Sequence, residues 1–103
     1  MMPGASEAAL DALKGLISTG GWRRCATHPS ALHFVRHWPL GGEMDALLIQ
    51  GEDSATGERT NSDDMPVWRR RGSLVEVVAA LRGLPDPGTA GAPTEVLRQP
   101  GGE

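Results

Sequence analysis

Apolar positions along the chain recur in two rhythms, and the switches between them mark its elements. Leu10, Leu13, Leu16 and Ile17 stand three or four apart, the repeat of one helical face. Ser6 suits an N-cap ahead of them, Glu7 puts an anion in the first turn, and Gly20-Gly21 stops the run, so the spacing predicts an amphipathic helix over Ser6 to Ser18. From Trp22 to Thr27 the rhythm drops to two, with Trp22, Arg24 and Ala26 on one side and Arg23, Cys25 and Thr27 on the other, as in a strand. His28-Pro29-Ser30 reads as a turn, because proline fixes its own φ and biases the residue before it away from helix.

The run from Leu32 to Leu40 also alternates, although His33 and His37 lie four apart and would equally suit a helical turn. Cross-strand arithmetic favours a strand. With Gly41-Gly42 as a two-residue hairpin turn, Leu40 faces Glu43, Trp38 faces Asp45, Arg36 faces Leu47 and Phe34 faces Ile49. One face then collects Leu32, Phe34, Trp38, Leu40, Leu47 and Ile49, with Arg36 and Asp45 diagonal to one another and able to pair. The other collects His33, Val35, His37, Met44, Ala46 and Leu48. Between Gly51 and Asp64 the acids Glu52, Asp53, Glu58, Asp63 and Asp64 surround Arg59, which predicts an acidic, mobile connection with room for a short strand near Ala55 to Thr60.

Met65 to Arg70 reads as a further strand, with Pro66 suited to its start or to a sheet edge. Ser73 and Glu76 form a capping box, Leu74, Val77, Val78 and Leu81 make a stripe, and Gly83 with Pro85 ends this second helix. Two helices around a run of strands predict an α+β fold: an N-terminal helix, an antiparallel meander of three to five strands over residues 22–70, and a C-terminal helix packed on the sheet. With 103 residues there is room for one core, expected over residues 6–84. The first five residues, and the Pro/Gly-rich stretch 85–103 whose one hydrophobic pair is Val96-Leu97, are expected to be disordered, with Val96-Leu97 a point that can dock.

Charge and composition narrow the function classes. Thirteen acids against ten bases leave a formal net charge of −3, which argues against a surface devoted to nucleic acid. The longest apolar run, Ala46 to Ile49, is far too short to cross a bilayer, and no secretory signal is expected. One cysteine, Cys25, rules out an intramolecular disulfide and fits a cytoplasmic setting.

Candidate chemistry is sparse. Cys25, His28, His33 and His37 carry the ligand types zinc prefers, but on a strand His33 and His37 stand about 13 Å apart, too far to share one ion, so no metal or cofactor is expected. Cys25 with a histidine lacks any accompanying oxyanion motif, which leaves a small metal- or Cys/His-dependent enzyme as the third-ranked reading. Phosphate-cradling glycine motifs are absent. Trp22-Arg23-Arg24 and Trp68-Arg69-Arg70-Arg71 are the more informative pair: adjacent strands would stack their rings and guanidinium groups into a surface for a protein partner or, second, for phosphate and unstacked bases.

The reading favoured by the sequence is a non-catalytic protein-binding or regulatory module, an adaptor or accessory subunit of unidentified partner, with a nucleic-acid-associated transcriptional regulator as the alternative. A second expectation is self-association. If the helices cover one sheet face, the face with His33, Val35, His37, Met44, Ala46 and Leu48 lacks a cover, and a two-fold homodimer would supply one. Protonation of His33 and His37 would then weaken the dimer in acid.

Overall fold

The computed structural model describes residues 6–25 and 31–97. The order is α1 (Glu7–Ser18), β1 (Trp22–Cys25), β2 (Leu32–His37), β3 (Met44–Gly51), β4 (Ser54–Thr60), β5 (Pro66–Gly72) and α2 (Leu74–Gly83). The strands form one antiparallel sheet in sequence order, β1-β2-β3-β4-β5, with both helices on the same face: the α+β meander that the pattern predicts, with five strands. Residues 1–5, the turn expected at 28–30 together with Ala26 and Thr27, and residues 98–103 lie outside the described part.

Both helix starts follow the local chemistry. The Ser6 hydroxyl accepts from the Ala9 N–H, and at α2 the Ser73 hydroxyl accepts from the Glu76 N–H while the Glu76 carboxylate accepts from the Ser73 N–H. The β3–β4 turn holds the two starts together. Glu52 accepts the Ser6 N–H on its carboxylate at 2.7 Å and the Leu74 N–H on its backbone carbonyl at 2.8 Å. The helices therefore run side by side in one direction, and their C-terminal ends meet at the opposite end of the sheet.

Ala9 and Leu16 from α1 and Leu74, Val77, Val78 and Leu81 from α2 pack on Trp22, Leu47, Ile49 and Ala55, with Leu32, Phe34 and Trp68 half-buried around them. Gly57 is what lets α2 sit close. A Cβ there would come within 3.0 Å of Val77 Cγ1, 3.2 Å of Trp68 Cζ3 and 3.3 Å of Leu81 Cδ1.

Three expectations need correction. The β2–β3 register is shifted by two residues: Arg36 lies opposite Asp45, Phe34 opposite Leu47 and Leu32 opposite Ile49. Proline has no N–H to give the ladder, so Pro39 ends the strand, and the turn spans Pro39 to Gly42 between Trp38 and Glu43, which are joined by the Trp38 N–H and the Glu43 carbonyl at 2.9 Å. A shift of two preserves faces, so the core face survives except for Leu40, which falls in the turn and is fully exposed.

Second, the acidic stretch is not a mobile connection: the short strand expected near Ala55 to Thr60 is present as β4, an inner strand whose Ala55, Gly57 and Arg59 face the core between β3 and β5. Its polar look came from an inward arginine and an inward glycine. Third, the two Trp-Arg-Arg segments are not on adjacent strands. They form β1 and the middle of β5, at opposite edges of the sheet, about 19 Å apart at four strand spacings.

Pro66 opens β5, an edge strand, and a bulge there leaves Pro66 and Val67 both buried while setting Trp68 opposite Arg59. Residues 85–97, expected to be disordered, touch the domain at two points: the Pro85 carbonyl accepts from Arg59 Nη1 at 2.6 Å, and the Leu97 N–H donates to the Pro66 carbonyl at 2.8 Å.

Candidate functional site

Placing both helices on one side leaves the other side of the sheet uncovered by the described chain. Alternation sends Arg23 and Cys25 of β1, His33, Val35 and His37 of β2, Met44, Ala46 and Leu48 of β3, Thr56 and Glu58 of β4, and Arg69 and Arg71 of β5 to that side. All six residues expected to form an unpartnered hairpin face are there. Val35, Met44, Ala46 and Leu48 are half-buried, sunk between longer neighbours, and His37 is exposed. A groove of about 750 Å³ crosses this side, floored by Ala46, Leu48 and Thr56 and walled by His33, Glu58 and Arg69.

Polar groups shape the groove. Arg69 lies opposite Glu58 and donates Nε to its carboxylate at 2.9 Å, with a second bond from Nη2. That pair is self-satisfied. Arg71 and Arg23 are exposed at the two edges. The strands present Arg23, Arg69, Arg71 and Glu58 to this side and the β3–β4 turn adds Asp53 to the groove, so three guanidinium groups stand against two carboxylates, with the excess at the exposed edges of the sheet.

The remaining expected partner-binding residues go elsewhere. Trp22 and Trp68 face the helices, the first buried and the second half-buried against Gly57, so neither ring is a stacking platform for bases. Arg24 and Arg70 share their side of the sheet and are exposed at its two edges.

Arginine–tryptophan stacking does occur, with other arginines. The Arg36 guanidinium lies 5.0 Å from the Trp22 ring centroid and 4.5 Å from that of Trp38, and Arg59 lies 5.6 Å from the same Trp38 ring. Asp45, fully buried, holds the group together: its Oδ1 accepts from Arg59 Nε at 2.6 Å, and its Oδ2 accepts from Arg59 Nη2 and from Trp38 Nε1, each at 3.0 Å. The Arg36–Asp45 neighbourhood was legible in the hairpin arithmetic. Arg59 was missed because a base among acids looks like a solvated loop, and the available signal was its alternation with Ala55 and Gly57.

Among the described residues no group of three or more His, Cys, Asp or Glu side chains could hold a metal ion, and no helix is long and apolar enough to cross a membrane. Cys25 and His33 are paired positions on β1 and β2, while His28 is outside the described residues. Comparison of the chain with protein-family models, with curated proteins and with solved structures finds no match.

Proposed function

We propose that the chain is a non-catalytic protein-binding module whose uncovered sheet face takes a segment of a partner protein carrying apolar side chains flanked by carboxylates. The observation that carries the reading is the placement of both helices on one face of a five-stranded sheet, which leaves an apolar-floored groove on the other. Apolar Val35, Met44, Ala46 and Leu48 supply contact area, and the exposed edge arginines Arg23 and Arg71 supply the sign of the partner's charge. A reducing, cytoplasmic setting is part of the reading, supported by a single cysteine.

A second copy of the chain is the less favoured occupant, because in either aligned two-fold stacking of the face on itself a basic edge would lie over a basic edge, β1 on β1 or β1 on β5. Nucleic acid is disfavoured by the inward tryptophan rings and by the paired state of Arg69.

Selection from a display library of random twelve-residue peptides tests the proposal. Enriched peptides are expected to place Asp or Glu beside apolar residues, to perturb the amides of β2 to β5, and to lose binding to Leu48→Glu and to Arg69→Ala/Arg71→Ala. Peptides without acids, or equal binding by Leu48→Glu, would overturn it. A dimer by sedimentation that Leu48→Glu dissociates would hand the face to a second copy, and salt-sensitive oligonucleotide binding lost in Arg69→Ala/Arg71→Ala would hand it to nucleic acid.

A further inference from the structure

On the helix side, where the C-terminal ends of α1 and α2 meet the β2–β3 turn, a cavity of about 490 Å³ opens. Leu16, Leu81, Leu84 and Pro39 give it apolar walls, and Trp38 and Arg36 line it from the sheet. Its size is within the range of small-molecule sites, and mostly apolar walls with a few placed polar groups are what such sites present.

Arg36 is the unusual member. Its side chain is 17% exposed, held flat between Trp22 and Trp38, and short of acceptors. Nη1 has the Thr19 hydroxyl at 3.3 Å, Nη2 stands 3.6 Å from Asp45 Oδ2, and Nε has no acceptor among the described residues. Asp45 is shared: its Oδ1 accepts from Arg59 Nε and its Oδ2 from Arg59 Nη2 and Trp38 Nε1, which leaves Arg36 only the longer ion-pair contact. Trp22 Nε1 is a further sealed donor with no acceptor among the described residues.

Arg36, Arg59 and Asp45 therefore set two guanidinium groups against one carboxylate, with Glu43 Oε1 at the β2–β3 turn a sealed acceptor that none of the described donors reaches. A largely buried cation left over in this way favours an anion beside it. Other charges on the lining do not remove the excess, because Arg82 faces the cavity as well as Asp86. Of the carbonyls closing α1, Leu16 O accepts the N–H and hydroxyl of Thr19, and Ile17 O accepts the Gly20 N–H. Gly21 permits the arrangement, having φ +81° and leaving room for the Arg36 stem, to which a Cβ would approach within 3.0 Å.

We infer that this cavity binds a small organic monocarboxylate, its carboxylate on the end of the Arg36 guanidinium and its apolar body against Leu84, Pro39 and Trp38. One excess charge and one planar fork suit a monoanion that accepts two parallel N–H bonds, whereas a dianionic phosphate calls for more donors than the cavity offers. The site is on the opposite side of the sheet from the groove, so its fate does not bear on the protein-binding reading.

The test is a titration of the whole protein with phenylacetate, hexanoate, phenylacetamide and inorganic phosphate, followed through the indole N–H resonances. Both carboxylates are expected to shift Trp22 and Trp38 while Trp68 stays still, and the neutral amide and phosphate are expected to bind at least about tenfold more weakly. Arg36→Gln should weaken phenylacetate by a similar factor. Arg82→Glu, at an exposed position, should weaken it several-fold and decides the matter if Arg36→Gln fails to fold. Equal binding of amide and carboxylate, phosphate binding as tight as phenylacetate, or no shift at Trp22 and Trp38 with millimolar carboxylate would each overturn the inference.

Discussion

Arg59 grips Asp45 through two parallel bonds, Nε to Oδ1 at 2.6 Å and Nη2 to Oδ2 at 3.0 Å, with both side chains sealed from solvent on neighbouring strands. The same carboxylate fixes Trp38, and the same guanidinium reaches the Pro85 carbonyl, so one pair ties β3, β4, the end of β2 and the segment after α2. Removing one partner leaves a buried charge uncompensated, which is the costly case. Asp45→Ala is expected to lower stability by about 3–5 kcal/mol in urea unfolding. The double change Asp45→Leu/Arg59→Met removes both charges and should recover much of that loss. If the double variant is no better than Asp45→Ala, the pair is a source of net stability and not only a matched burial.

Gly57 carries a steric prediction. Its absent Cβ is the space that Val77, Trp68 and Leu81 occupy, and none of the three can rotate away without disturbing the packing of α2 on β4. Overpacking a dense core costs about 1–3 kcal/mol, so Gly57→Ala should lower the unfolding midpoint clearly and Gly57→Val further. Gly51→Ala is the control. Nothing lies within 4 Å of a Cβ there and its φ is ordinary, so thermal melts should place it within about 0.5 kcal/mol of the parent or slightly above.

How much of this was legible follows from the kind of signal each feature leaves. Helix starts depend on side chains within four residues, and Ser6, Ser73 and Glu76 announced both of them. The face assignment of the β2–β3 hairpin was also legible, because alternation survives any even shift in register. The register itself was not, since it depends on how Pro39 and two glycines share a turn. Arg59 stayed hidden for a different reason: burial of an arginine is decided by a partner fourteen residues away, and local composition pointed the other way. Strand order left no local trace, so the distance between the two Trp-Arg-Arg segments could not be read. The cavity beside Arg36 is further from legibility still, being assembled from the ends of two helices, one turn and one strand.

The corrected register is itself testable. Leu40 belongs to the core in the two-residue turn and to solvent in the four-residue turn, whereas Leu47 is buried in both. Leu40→Ser should therefore be neutral within about 0.5 kcal/mol, as exposed substitutions away from special contacts are. Leu47→Ala should cost about 2–5 kcal/mol through lost burial and the cavity left behind. Equal losses in the two variants by urea titration would restore the shorter turn.

Acid stability turns on two carboxylates at the helix starts. The Ser6 hydroxyl, and next the Ser6 backbone N–H, bond to Glu52 and hold it below the ordinary value of 4.5. At α2 the Ser73 backbone N–H, then its hydroxyl, do the same for Glu76, with the charge of Arg70 adding to the effect. Each carboxyl is thus a stronger acid folded than unfolded, so the unfolded chain binds protons first as pH falls. The stabilisation is fully present above the unfolded value of about 4.5 and is lost as pH drops through the lowered folded values. Protonation of the Glu52 carboxylate loosens its hold on the start of α1, while the bond from Leu74 at the start of α2 goes to the Glu52 backbone carbonyl and does not titrate. Glu52→Gln and Glu76→Gln should each cost stability at neutral pH and flatten the decline below pH 4.5, the double variant most of all, in unfolding midpoints followed from pH 7 to pH 3. Acid limbs as steep as that of the parent would place the acid sensitivity of the domain on other carboxylates.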